Sequence, residues 1–173
     1  MCDVNGFIYV GIHVDNLTLY TDLFARTSFL EACSVLWNVA SSWHEHSHNY
    51  TAHPLLKLDP DELSSRFESW TSQLESVLQS KSVKAHPEVF SIACVLSEQI
   101  DSFEPSVTLC RYLKHPGFTE KYLNLLSKSL PFEFEYDPEM SLSGALKKLL
   151  PHVELVKTLG RRAEEEYSLS MFS

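Results

Sequence analysis

Residues 59–78, DPDELSSRFESWTSQLESVL, decide the fold class of this chain. Asp59 is placed to cap a helix, Pro60 suits the first helical position, and Glu62 follows three residues after the cap. Apolar side chains then recur at intervals of three and four residues, namely Leu63, Phe67, Trp70, Leu74, Val77 and Leu78. That interval is the period of one buried helical face. The stretch therefore predicts an amphipathic helix packed against a core.

The same helical period appears on the N-terminal side of this stretch. It predicts one long helix from Thr18 to about Tyr50, with Thr27-Ser28 as the place where a break is expected if one occurs. The predicted buried stripe is Tyr20, Leu23, Phe24, Leu30, Cys33, Leu36, Trp37, Ala40 and Trp43. His53-Pro54 ends the helix, because a proline disfavours helical geometry in the residue before it.

On the C-terminal side, a polar link at Ser80-Lys81-Ser82 precedes further helices. They are predicted at 87–103, at 107–113, at 119–130 with Thr119 as the cap, from Ser141 onward, and at 150–171. Residues 131–140 contain the alternating run FEFEY, yet a lone strand is only marginally stable, so they are predicted to form an extended loop. The predicted fold class is all-α: an elongated multi-helix bundle of antiparallel helices with short loops.

Composition excludes several function classes. The chain has 173 residues, of which 44% are apolar, and a net charge of −9, which disfavours nucleic acid as a direct partner. Its five glycines form no phosphate-binding loop, so nucleotide chemistry within the chain is not expected. No apolar run is long enough to span a membrane, so no membrane partner is expected. The four cysteines are far apart and are predicted to be reduced thiols.

One motif has catalytic potential. His44, Glu45 and His48 match the pattern His-Glu-x-x-His, in which two histidines one helical turn apart bind zinc and the glutamate acts as a general base. A third ligand would have to come from Glu62 or Glu68. A solvated helix end is the favoured interpretation, since histidines complement the negative end of a helix dipole. We therefore predict no catalytic residue, no cofactor and no metal site, and keep a zinc hydrolase as an alternative.

The tryptophans and the C-terminal charges have simpler interpretations. Trp37, Trp43 and Trp70 fall on or beside apolar stripes, so packing in the core or at an interface is expected. Residues 161–166, RRAEEE, place opposite charges three and four positions apart, which is typical of a solvated helix face.

Four segments, in order, resemble the linker of dynein heavy chains. Residues 36–43, LWNVASSW, lead into 53–63, HPLLKLDPDEL, which is similar to that family's tryptophan-rich helix and following turn. Residues 109–118, LCRYLKHPGF, resemble its Leu-Cys-Asn-Pro-Gly segment. Residues 141–150, 153–154 and 162–169 look like its Thr-Leu-x-x-Leu-Leu … Ala-x-Lys-Glu-Tyr helix. The departures are Glu120-Lys121-Tyr122, where the family usually has Arg-His-Trp, and Glu165 in place of lysine.

The resemblance implies a mechanical role and no catalysis by this chain itself. The linker is a helical arm that couples the state of an AAA+ ATPase ring to movement along microtubules. Expected partners are the remainder of a dynein heavy chain, with its ring, and other dynein subunits. The axonemal type is favoured, so the expected location is the cytoplasm and cytoskeleton, in the axoneme of a cilium.

The resemblance also divides the chain. Residues 35–173 are expected to be a linker-like helical domain that is truncated, and residues 1–34 are unassigned. A partial heavy chain is therefore expected, and a stand-alone helical interaction protein remains the third alternative.

Overall fold

The computed structural model describes the backbone of residues 4–173 and the side chains of residues 17–173. The α-helices are α1 Val4–Ala52, α2 Pro60–Gln79, α3 Lys81–Lys84, α4 Pro87–Asp101, α5 Glu104–Leu113, α6 Glu120–Ser129, α7 Leu142–Leu149 and α8 Val153–Met171. Short 3₁₀ turns lie at Leu55–Lys57 and Leu150–His152. The described part of the chain contains no strand, and the prediction of an all-α helical bundle is confirmed.

Helix α2 forms as its sequence predicts. The Asp59 carboxylate accepts hydrogen bonds from the backbone N–H groups of Asp61 and Glu62, and Pro60 occupies the first turn. The buried face includes Leu63, Trp70, Leu74 and Val77. Because one face is apolar along the whole helix, α2 can pack against two groups of neighbours at once.

Two hydrophobic clusters form the core. The first, around α5 to α8, contains Leu109, Leu126, Leu142, Leu149 and Val156, all fully buried. The second joins α1, α2, α3 and α4, and includes Leu36, Val39, Leu74, Val83 and Ile100.

Trp43 packs against both clusters. Its ring meets Trp70 edge-on at a centroid distance of 5.3 Å and Phe103 at 5.4 Å. Trp70 is only 2% exposed, and its indole N–H donates to the Ser42 hydroxyl at 2.9 Å. The predicted packing of these two tryptophans is therefore confirmed.

The predicted buried stripe of α1 is partly wrong. Leu36 is buried as predicted, and so is Val39, which the prediction omitted. Tyr20, Leu23, Phe24 and Leu30 are exposed, and so is Trp37 at 73%. The reason is geometric: the second cluster includes α1 side chains only from Ala32 onward, and the first four of these exposed residues lie before that point on the helix. Trp37 is therefore not part of the core, and packing at an interface stays a prediction for it.

Some helix ends also differ from the predictions. Helix α1 continues through Thr27-Ser28 without a break and begins at Val4. The polar link after α2 becomes the short helix α3, and Thr119 occupies the cap position of α6 but its side chain accepts no hydrogen bond there. Helix α8 begins at Val153, and the residues before it, Leu150–His152 with Pro151, form a 3₁₀ turn instead of the predicted first turn of the helix. Residues 131–140 form a loop without helix or strand, as predicted.

Candidate functional site

The histidine motif lies exposed near the end of α1. His44 and His48 are one turn apart on the helix, and Glu45 is exposed between them. Within the described residues, no group of three His, Cys, Asp or Glu side chains is placed to hold a metal ion. Of the two suggested third ligands, Glu62 is engaged elsewhere and Glu68 is exposed. The structure thus brings the two histidines together without a third ligand.

A polar cluster connects α1 to α2 beside that motif. Tyr50 donates its hydroxyl proton to Glu62 Oε1 at 3.0 Å, and Arg66 Nη2 donates to the same oxygen at 2.9 Å. The hydrogen bond from Tyr50, and after it the one from Arg66, hold the pKa of the Glu62 carboxyl below its usual value. Burial raises the pKa of Tyr50, and the bond to Glu62 adds to this shift.

His46 completes the cluster. Its Nδ1 lies 2.8 Å from the Ser42 carbonyl oxygen, which can only accept, so Nδ1 carries a proton. Its Nε2 lies 3.0 Å from Arg66 Nη1, which can only donate, so Nε2 is the acceptor. The neutral imidazole therefore bridges a backbone carbonyl and a guanidinium group. The cluster holds the end of α1 against α2.

The turn after α1 is fixed by the loop before α7. Leu55 N–H donates to the Met140 carbonyl at 2.9 Å, and Leu56 N–H donates to the Pro138 carbonyl at 3.0 Å. Lys114, at the end of α5, donates its ammonium group to the Leu56 and Leu58 carbonyls. The extended loop that the sequence predicts therefore has a definite use, because it supplies acceptors for the 53–58 turn.

The segments that carry the family resemblance meet in space. Residues 109–118 contact the 53–63 turn through Lys114, and they contact α8 through the ion pair between Arg111 and Glu164 at 3.1 Å. A second ion pair joins Lys121 to Glu166 at 2.8 Å. Both pairs are substantially exposed, so they contribute orientation more than stability.

Sequence reasoning missed the close approach of α5 and α8. Gly160 lies directly beneath the Tyr112 ring, and a methyl group at Gly160 would lie 2.2 Å from Tyr112 Cδ1. Gly117 is similarly enclosed, with the Ala163 carbonyl oxygen 2.5 Å from where its Cβ would be. The one signal in the sequence is a glycine within the apolar stripe of a helix, where alanine would be the better helix former.

An exposed apolar row on α1 is the other feature that packing inside the chain leaves unexplained. Leu23, Leu30 and Trp37 lie seven residues apart and are 53%, 67% and 73% exposed. No helix in the described part of the chain combines the length and hydropathy needed to cross a bilayer. Exposed apolar surface of this extent marks an interaction site.

Comparison with known proteins identifies relatives of the chain. A sequence profile of the family "Dynein heavy chain, N-terminal region 2" matches residues 26–172. Dynein axonemal heavy chain 1 of Mus musculus is 26% identical over 155 residues, which cover 88% of this chain and 4% of that protein. The proteins of the same name from Rattus norvegicus and Homo sapiens are 25% identical over 88% of this chain, and cover 3% and 4% of those proteins. No solved structure gives a significant match.

Proposed function

The chain belongs to the family "Dynein heavy chain, N-terminal region 2", and we propose that it forms part of a dynein heavy-chain linker. In this proposal it is a helical mechanical element that couples the state of an AAA+ ring, located elsewhere in a heavy chain, to movement along microtubules. The observation that carries the proposal is the family match over 26–172, which extends from α1 to α8. The chain spans only 3–4% of the relatives' length. Its association with a ring and with other subunits is therefore part of the proposal.

The packing supports a mechanical role. Helix α1 has 49 residues, which at 1.5 Å per residue is about 73 Å. Its C-terminal part packs on α2, α3, α4 and α7, and Trp43 joins the two core clusters. An arm that transmits force needs such continuous packing, because a gap between rigid units would absorb the displacement.

The proposal assigns no catalytic site, cofactor or metal to this chain. ATP hydrolysis is assigned to ring modules of a heavy chain, and the linker-like domain is assigned to residues 35–173, with 1–34 unassigned. Proposed partners are the remainder of a heavy chain and other dynein subunits, without nucleic acid or membrane. The proposed location is the cytoskeleton of the ciliary axoneme, since the relatives are named axonemal heavy chains.

Fractionation of ciliated cells that express the chain tests its place in a motor. An antibody raised against the chain is expected to detect a polypeptide of heavy-chain size that sediments with microtubules and is released by Mg·ATP. A band at 19.8 kDa that never sediments would instead support a stand-alone helical interaction protein. Calorimetric titration of the purified chain with Mg·ATP should show no binding, and saturable binding would contradict the assignment of all nucleotide chemistry to the ring.

A distance measurement tests stiffness. Two spin labels are attached, one at Glu31→Cys in α1 and one at Glu165→Cys in α8. The other reactive cysteines are replaced, and the labelled chain is diluted with unlabelled chain. The distance between the two labels should then have one narrow distribution. Trp43→Ala should broaden it, because the ring that packs against both clusters is lost. The control is Ile92→Ala, an exposed position on α4. A broad distribution in the unsubstituted chain would contradict a lever role.

A further inference from the structure

A recess on the surface between α1 and α3 has the size and the lining of a small-molecule site. Its volume is about 380 Å³, and pockets that hold small molecules have volumes of roughly 300–1,000 Å³. Ala25, Phe29 and Leu30 of α1 line one side, and Ala85 and His86, which follow α3, line the other. We call it the α1–α3 recess. Its lining is mainly apolar with a few polar groups, as is usual for a ligand pocket.

The lining of the α1–α3 recess is held in place by contacts within the chain. The rings of Phe29 and His86 stack with their centroids 4.0 Å apart and their planes at 24°. His86 Nδ1 lies 2.7 Å from the Ser82 carbonyl oxygen, which can only accept, so Nδ1 carries a proton. The stack and the hydrogen bond together fix the orientation of the imidazole. A lining that is already ordered lowers the entropic cost of binding a ligand.

Arg26 supplies the charge of the α1–α3 recess. It lines the recess and is exposed, and among the described residues its guanidinium group has no hydrogen-bond or ion-pair partner. Asp22, one turn earlier on α1, forms no ion pair with it in the described chain. The hydroxyl group of Ser82, also in the lining, is engaged with the Ser80 hydroxyl at 2.8 Å. The polar group left to a ligand is therefore a cation.

We propose that the α1–α3 recess binds a small aromatic carboxylic acid, with its ring on the apolar lining and its carboxylate on Arg26. A guanidinium group can donate two parallel hydrogen bonds to a carboxylate, which an amide or an ester cannot accept in the same way. An apolar cavity of about 150 Å³ accepts one benzene ring, so 380 Å³ leaves room for a body of two fused rings. The proposal does not rest on the linker role.

A bound acid would extend the contact between α1 and the bundle. The second core cluster includes α1 side chains only from Ala32 onward, whereas the recess lies at residues 25–30 of that helix. A ligand that touches α1 and the residues after α3 would therefore add about two helical turns to the supported length of α1. Because it binds only the folded chain, it would also stabilise the fold.

A pair of probes that differ only in charge tests the recognition of a carboxylate. Calorimetric titration of the chain with 2-naphthoate should show saturable binding at one site, and neutral 2-naphthamide should bind about 10-fold more weakly. Arg26→Gln should weaken 2-naphthoate by a similar factor and leave 2-naphthamide unchanged. The matched control is Arg161→Gln, which removes the same charge from an exposed position on α8 and should change neither affinity. Equal affinities for the two probes, or no effect of Arg26→Gln, would overturn the proposal.

Filling the α1–α3 recess tests the place of binding. Ala25→Trp puts a bulky ring into the lining and should abolish the binding of 2-naphthoate. Ala25 is exposed, so the circular dichroism spectrum should be unchanged. Ile92→Trp adds the same ring at an exposed position on α4 and should leave the affinity as it is. Full affinity in a folded Ala25→Trp chain would contradict the assignment to this recess.

Nuclear Overhauser effects between probe and protein locate the ring directly. With 2-naphthoate bound, its ring protons should show contacts to the side chains of Phe29 and His86, which line the recess. Contacts to Leu23 and Trp37 instead would place the probe on the exposed apolar row of α1 and overturn the proposal. The absence of saturable 2-naphthoate binding at millimolar concentrations would overturn it as well.

Discussion

Gly160→Ala gives the sharpest test of how α5 and α8 pack. A Cβ at Gly160 would lie 2.2 Å from Tyr112 Cδ1, 2.4 Å from Cγ and 2.8 Å from Cβ. Tyr112 is only 5% exposed, so its side chain is enclosed by neighbouring residues. Because the Tyr112 Cβ is itself too close, turning the ring cannot relieve the overlap. The two helices must therefore move apart.

Two opposing effects set the magnitude. Alanine is favoured over glycine within a helix by about 1 kcal/mol, and that term would stabilise α8. Overpacking a filled core costs about 1–3 kcal/mol, and the upper end applies because three atoms of a buried side chain are in the way. Separating α5 from α8 also loosens the packing around Val156 and Ala163, both fully buried. We expect a net loss of about 2 kcal/mol in the free energy of unfolding.

Urea unfolding followed by far-ultraviolet circular dichroism measures this change. The matched control is Gly144→Ala in α7, where the nearest atoms to a new Cβ are Ser141 Oγ at 3.2 Å and Met140 Cγ at 3.3 Å. There we expect a change of less than about 1 kcal/mol. Tyr112→Ala combined with Gly160→Ala should cost at least ~1 kcal/mol less than the sum of the single changes. A Gly160→Ala chain as stable as the original would refute the reasoning.

Three further predictions concern the core, the polar cluster and a thiol. Trp70→Ala should lower the free energy of unfolding by about 3–5 kcal/mol, whereas Ile92→Ala, at an exposed site, should change it by less than about 0.5 kcal/mol in urea titrations. The lowered pKa of Glu62 means that its contribution to stability is present above pH 4.5 and is lost as the pH falls through the folded-state pKa. Thermal melts of Glu62→Gln below that pH should therefore show a weaker acid dependence than melts of the unsubstituted chain. Burial raises the pKa of Cys110 to about 11, so at pH 8 thiol-reactive probes should label Cys33 and leave Cys110 unmodified, as mapped by mass spectrometry.

Each prediction has an outcome that contradicts it. An equal loss in the free energy of unfolding for Trp70→Ala and Ile92→Ala would show that Trp70 does not pack in the core. An acid dependence unchanged by Glu62→Gln would show that the hydrogen bonds to its carboxylate do not favour the folded state. Rapid labelling of Cys110 in the folded chain would mean that the first core cluster opens readily.

Helix α2 shows how far sequence reasoning reaches. The Asp59 cap and the apolar interval from Leu63 to Val77 depend on residues within a few positions of one another, and the structure agrees with both. The extended loop at 131–140 is also predictable, since its alternating residues have no second strand to pair with. The hydrogen bonds that this loop accepts from the 53–58 turn join segments far apart in the chain, so no local sequence pattern predicts them.

The candidate site shows the same division. The pattern of His44, Glu45 and His48 is visible in the sequence, but whether a third ligand approaches depends on where α2 lies. There Glu62 is held by Tyr50 and Arg66, and neither bond follows from the spacing of the motif.

Local sequence patterns by themselves determined that this protein is helical, that Asp59 caps α2, and which side chains of each helix are apolar. Only the tertiary structure decided which apolar face meets a partner: it buries Leu36 and Val39 of α1 and leaves Leu23, Leu30 and Trp37 exposed. It also places Tyr112 over Gly160, although the two lie on different helices. The physical reason is that helix formation depends on neighbours three and four residues away, whereas burial depends on contacts between segments far apart in the chain.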